Sequence, residues 1–199
     1  MTASTTHRSP LRPLTGVGRD GSDRTRPIWV ALRIAMGWTF LWAFLDKFVG
    51  LGFSTCRAED GAIDVACDAA FVNGGSPTHG FLTFATEASH TGSWFSWMAS
   101  DAPDQIVVTD WLFMFGLAGV GLSLTFGFLS RIGAAGGTAM LLFMYLAGYV
   151  WPASNPFWDT HLLQALVCVG LIVADAGRTF GLGPWWRGLS GVQERPILW

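Results

Sequence analysis

Ionisable side chains cluster at the edges of long apolar runs in this sequence, and their types are those of proton and charge chemistry. Asp46 and Lys47 adjoin within the first run, Asp110 opens the second, and Asn155, Asp159 and His161 stand just ahead of the fourth. His79 lies in the long segment between the first two runs. Histidine titrates near neutral pH and exchanges protons with a bound oxygen, and a lysine ammonium stabilises negative charge developing there. Such a set suits a ligand that takes up electrons and protons together, as a quinone does. On this reading His161, Asp159 and Lys47 are the catalytic candidates, and Asp46, Asp110, Trp111, Asn155, Trp158 and His79 are candidates for holding the ring. A structural reading competes. In it Lys47 pairs with Asp46 or Asp110, Asp159 caps the helix that follows, and His161 satisfies a backbone carbonyl.

Cys56 and Cys67 stand eleven residues apart in a segment expected on the oxidising side of a membrane, where a disulfide is plausible. A redox-active pair is the alternative, but the C-x-x-C spacing is absent. Cys168, inside an apolar run, reads as an inert core thiol. The sequence has no P-loop, no G-x-S-x-G and no H-E-x-x-H. Only His79, His90 and His161 lie outside the N-terminal segment, none within a run opposite another, so no metal or buried haem is expected.

The elements that must position these residues are membrane-spanning helices. Hydrophobic residues make up 51% of the 199 and charged residues 13%, about half the charge of a soluble domain. A helix needs about 20 apolar residues to cross the hydrocarbon core. Four stretches qualify, at about 28–53, 107–129, 132–151 and 161–182. The expected fold is an all-α bundle of four transmembrane helices, with an extracytoplasmic loop containing a short helix between spans one and two. Residues 1–27, rich in Arg, Ser, Thr, Gly and Pro, read as a disordered cytoplasmic tail. The membrane domain is 28–186, its loop 54–105, and 187–199 form a cytoplasmic C-terminal tail.

Charge gives the bundle a direction. Arg8, Arg12, Arg19, Arg24 and Arg26 crowd the start, Arg131 occupies the turn between spans two and three, and Arg178, Arg187 and Arg195 follow span four. The 54–105 loop carries seven acids and one base, Arg57. The positive-inside rule then places both termini in the cytoplasm. Trp94, Trp97, Trp111, Trp151 and Trp158 fall at the outer boundary, with Trp29, Trp185 and Trp186 at the inner one, as interfacial anchors do. Trp38 and Trp42, four apart in span one, are expected to pack between helices. Arg33 is expected to snorkel to the inner headgroups, and Asp175 to pair with Arg178 along one helical face. With no basic stripe, nucleic acid is excluded as a partner.

In the loop, Asn73-Gly74-Gly75 signals a turn, and Ser76-Pro77 a helix cap with proline at the first helical position. A short helix through Phe81, Leu82, Phe84 and Ala85 follows, then an apolar piece around 94–98. In span three, Gly133, Ala134, Ala135, Gly136, Gly137 and Ala139 permit close helix contact within the bundle or between chains.

Several of these pieces, in this order, resemble the DoxX/DoxD family of small four-helix bacterial membrane proteins. They are Arg33-Ile34-Ala35-Met36-Gly37-Trp38 through Asp46-Lys47-Phe48, Asn73-Gly74-Gly75-Ser76-Pro77-Thr78, Asn155-Pro156-Phe157-Trp158-Asp159-Thr160-His161, and Gly177-Arg178-Thr179-Phe180-Gly181-Leu182-Gly183. The resemblance covers about 27–186. It implies a subunit of the bacterial plasma membrane, related to thiosulfate:quinone oxidoreductase, that passes electrons to quinone. The alternative is a non-catalytic accessory subunit that anchors a larger respiratory or redox complex. Membrane lipid, quinone, and other subunits or further copies of the chain are the partners implied.

Overall fold

The computed structural model describes residues 19–87, 89–152, 155–178, 180–195 and 198. Among them the chain is helical, with no β-strand beyond an isolated antiparallel bridge between Arg57 and Ile63. The principal helices are α1 (Arg19–Leu45), α2 (Val108–Phe126), α3 (Ser130–Met144) and α4 (Thr160–Val173), followed by short α5 (Gly183–Arg187) and α6 (Ser190–Gln193). α1 packs along α2, α2 along α3, α3 along α4, and α4 returns to α1.

Three stretches are long and apolar enough to cross a membrane: Arg24–Gly50, Val108–Phe126 and Ser130–Tyr149. The fourth departs from expectation. α4 is apolar but ends at Val173 after 14 residues, about 21 Å at 1.5 Å per residue. Asp175 adopts a left-handed φ of 51° and breaks the helix well before residue 182. At the N-terminus the opposite happens. Helix begins at Arg19, so 19–27 are helical and not the disordered tail expected there, while the expectation for 1–18 lies outside the described residues. The C-terminal stretch also carries structure, since α6 forms there and the Trp186 indole donates to Leu198 O at 2.7 Å.

The core explains the pairing of the helices. Arg33, Met36, Gly37 and Phe40 are buried at helical spacing on one face of α1, opposite Leu117, Val120 and Leu124 of α2. A Cβ at Gly121 would stand 2.6 Å from the backbone of Leu41, so its absence lets the two helices approach closely. Gly133, Ala134 and Gly137 of α3 are buried within the bundle, while Ala135 and Ala139 face outward. The small residues of span three therefore serve mainly the internal contact. Gly127 ends α2 in the left-handed conformation, its N–H donating to Ser123 O at 2.8 Å, a state open to glycine at no steric cost.

Three local expectations are corrected. Arg33 does not reach toward headgroups. It is 0% exposed, lodged beside Gly127, and its guanidinium nitrogens find no hydrogen-bond acceptor among the described residues. Trp38 is 52% exposed and meets Trp42 in a tilted contact, centroids 5.6 Å apart, along the outer face of α1, where it does not lie between helices. Asp175 and Arg178 are joined through backbone, Arg178 N donating to Asp175 O at 3.1 Å, and not through a side-chain ion pair. The Asp175 carboxylate takes both Arg187 nitrogens, at 2.9 and 2.5 Å, with Arg131 at 3.5 Å, and so joins the end of α4 to α3 and α5.

Candidate functional site

The loop between α1 and α2 is fastened down by two buried carboxylates. Asp46, 1% exposed, accepts from the backbone N–H groups of Phe53 (3.0 Å), Ser54 (2.8 Å) and Thr55 (3.1 Å) and from the Ser54 hydroxyl (2.7 Å). Asp110, 0% exposed, accepts from Ser76 Oγ (2.8 Å), Thr78 N (3.1 Å) and Thr78 Oγ1 (2.7 Å), while its second oxygen takes Val107 N at 2.9 Å. These charge-assisted bonds satisfy backbone donors of the loop after α1 and, at Thr78 and Val107, donors at the starts of two helices. Ser76 Oγ also accepts from His79 N at 3.2 Å, and so acts as the cap expected for the loop helix. Cys56 and Cys67 form a disulfide that closes the loop beyond Asp46.

Residues 79–87 then run as a short helix whose centre, Phe81–Ala85, widens into a π-helical turn. Two 3-10 turns, Gly92–Trp94 and Ser96–Met98, follow as the apolar piece expected near 94–98. This assembly lies over the end of α3. Phe95 meets Phe143 edge to face at 4.8 Å, Phe81 stacks on Tyr149 at 6.0 Å, and the Thr91 hydroxyl donates to Leu146 O.

Beneath it is a cavity of about 500 Å³. Pro77, Phe81 and Met98 of the loop roof it, while α2 contributes Leu112 and Gly116 and α3 contributes Met140 and Phe143. Leu112 and Ala139 are themselves exposed, so the cavity opens on the apolar flank between α2 and α3. Among its lining residues Lys47 alone is charged. The Lys47 ammonium makes one long contact, 3.4 Å to Ser54 Oγ, and no carboxylate among the described residues lies at ion-pair distance. With three donors, it retains hydrogen-bonding capacity for a ligand oxygen.

Each of the three described π-helical turns contributes to this wall. Asp46–Gly50 carries Lys47, Phe81–Ala85 carries Phe81, and Tyr145–Tyr149 carries Tyr149. Such turns are uncommon and concentrate at functional sites. Periodicity in the sequence gave no sign of them, and Tyr149 was not among the expected residues. Its aromatic side chain near the end of an uncharged span was the available signal.

The expected site residues are thus only partly brought together. Lys47 lines the cavity. His161 and Asp159 do not, but stand one ring behind it: the His161 imidazole stacks on Tyr149 with centroids 4.4 Å apart. His161 Nδ1 lies 2.6 Å from Asp159 Oδ2, and the other Asp159 oxygen accepts from Leu162 N at 2.9 Å, capping α4. Burial opposes the Asp159 charge, yet the Leu162 and His161 hydrogen bonds outweigh it and hold its pKa below the ordinary carboxylate value. Asp46, Asp110, Trp111, Asn155, Trp158 and His79 do not line the cavity. Asp46 and Asp110 are loop anchors. Trp111 packs against Phe71 and Phe115, and Trp158 is exposed. Asn155 accepts long bonds from Phe157 N and Trp158 N within its turn, and His79 Nδ1 meets Ser100 at 3.0 Å.

No family model, curated protein or solved structure matches the chain.

Proposed function

We propose that the chain is a four-span membrane subunit of the DoxX/DoxD kind, with both termini in the cytoplasm of a bacterium, that binds quinone in the cavity beneath the loop. The observation that carries this reading is an apolar cavity, open toward the flank of the bundle, whose one charged wall residue is the Lys47 ammonium. A quinone has the same division of character, an apolar ring and tail with carbonyl oxygens that accept hydrogen bonds. Lys47 would donate to one such oxygen and stabilise the negative charge that grows there as electrons arrive. Tyr149 would bound the ring. Asp159 and His161 would hold Tyr149 in place and stand ready to relay protons, since reduction to the quinol consumes two electrons and two protons. Thiosulfate, or another reduced partner in a respiratory complex, would supply the electrons.

The topology rests on the three long apolar helices and the shorter α4, together with the arginines gathered at 19–26, 131 and 178–195. Extraction of the purified protein should yield bound quinone, and a photoreactive quinone analogue should label the Lys47 and Tyr149 segments. Failure of both, in protein purified with its native lipid, would overturn the quinone assignment.

A second reading, an accessory subunit that anchors a larger complex, draws support from the outward-facing Phe84, Trp94 and Trp97 of the loop. It requires copurification with partner subunits and no quinone turnover by the chain alone.

A further inference from the structure

At the end of the bundle opposite the quinone cavity, the start of α1 and the end of α4 enclose a second cavity, of about 310 Å³. Its composition is divided. Arg26 and Arg178 bring cationic groups and Thr25 a hydroxyl oxygen, while Trp29 and Val173 are apolar. The Trp29 ring is seated against Gly170, where a Cβ would meet it at 2.9 Å, so α1 and α4 touch along this wall and the recess stays open beyond it. Val173 at the rim is strongly exposed, as a lipid-facing residue would be.

Asp175 also lines the recess, but its charge is already engaged. Both oxygens are taken by Arg187, with Arg131 close by. The Arg178 guanidinium acts on the Asp175 carboxylate through space, and the residue is exposed at the recess. A guanidinium carries five donors in a planar fork that matches phosphate, and Arg178 and Arg26 both line this recess. Two guanidinium groups, a hydroxyl and an indole around a recess much larger than a water molecule fit a phosphate group joined to an apolar body.

We infer that this recess binds the phosphate of an anionic phospholipid, with Arg26 and Arg178 on the phosphate oxygens, Thr25 beside them, and the glycerol and acyl region along Trp29 and Val173. The lipid would then bridge α1 to the short α4 and its following turn. The inference is independent of the quinone assignment, because the two cavities share no residue.

Native mass spectrometry of the purified full chain in detergent tests it, with phosphatidylglycerol, phosphatidylcholine or inorganic phosphate added in separate arms. One phosphatidylglycerol should be retained per chain in preference to phosphatidylcholine. In the Arg26→Gln/Arg178→Gln double variant that retention should fall at least about tenfold. The double lysine variant should recover part of it, and Arg24→Gln, an exposed residue outside the recess, should leave it unchanged. Equal retention of the two lipids, or wild-type retention in the double glutamine variant, would overturn the inference. Occupation by inorganic phosphate with no lipid retained would overturn the lipid as the source and assign the site to free phosphate. Circular dichroism of each variant distinguishes loss of the site from loss of fold.

Discussion

The Tyr149 and His161 rings lie 22° from parallel with centroids 4.4 Å apart, and only the tyrosine reaches the cavity wall. A substitution at Tyr149 therefore separates contact from chemistry. Tyr149→Phe keeps the stack and should change quinone affinity less than about twofold. Tyr149→Ala removes an aromatic face worth on the order of 2 kcal/mol and should weaken binding by about thirtyfold. Titration of a fluorescent quinone analogue measures both. If His161→Ala matches Tyr149→Phe in affinity but abolishes turnover, the proton-relay role is supported; unchanged turnover would remove it.

The cavity floor depends on a missing methyl group. A Cβ at Gly116 would stand 2.6 Å from Met140 Sδ, so Gly116→Ala should swing that flexible side chain toward the ligand space. In the empty protein the cavity receives the displaced side chain, whereas a ligand must push it back against the new methyl at a cost on the order of 1 kcal/mol, or about a fivefold loss of affinity. The melting temperature of the empty protein should move little, and the analogue titration should show the loss.

Asp110 holds the loop through four hydrogen bonds. Asp110→Ala strands the Thr78 and Val107 donors and should destabilise the loop by about 3 kcal/mol. Limited proteolysis reads this directly: cleavage within 74–105 should accelerate strongly while cleavage within α3 does not. An unaltered pattern would mean that the anchor is dispensable.

The Asp175 cluster gives a pH dependence of definite sign. The Arg187 hydrogen bonds lower the carboxyl pKa most, burial opposes them, and the Arg187, Arg131 and Arg178 charges lower it further, leaving it below the ordinary value. Because the folded pKa is the lower one, this stabilisation is fully present above about pH 4, the unfolded value. It is lost as the pH falls through the folded value. Thermal unfolding from pH 6 down to pH 3 should show a loss of stability that is smaller in Asp175→Asn, which begins less stable by about 1–3 kcal/mol. Asp159 contributes in the same direction, as its pKa is also lowered.

Reduction of the Cys56–Cys67 disulfide frees a loop of sequence separation 11. The chain-entropy argument puts the cost at about 3 kcal/mol. Cys56→Ser/Cys67→Ser should lower the unfolding midpoint accordingly. Quinone turnover that survives in this variant would mark the disulfide as structural, whereas its loss in a folded variant would favour the redox-active reading.

The helical architecture was largely legible because apolar length is a one-dimensional property: the second and third long runs appear as helices within a few residues of where hydropathy places them, and the first is extended at its polar start to Arg19. The disulfide and the Ser76 cap were legible for a related reason, since both are set by residue type at short spacing. What the sequence hid is three-dimensional. Asp46 and Asp110 look like costly intramembrane charges until their backbone and hydroxyl donors are seen, and those donors arrive from loop residues as far as 34 positions away. The premature end of α4 depends on one left-handed residue, Asp175, which no hydropathy average detects. Tyr149 and His161 are twelve residues apart in sequence, and only the path of the chain over the end of α3 stacks them.

The three wide turns around the cavity beneath the loop have a bearing on how such a site is encoded. A π-helical turn amounts to an α-helix carrying a surplus residue, and one residue is about 100° of helical rotation. Deleting a single position from 145–149 would let α3 continue in regular register and would turn Tyr149 off the wall, with hydrophobicity almost unchanged. The recess is thus written in chain length as much as in residue identity, and two sequences of nearly the same composition could differ in whether they possess it.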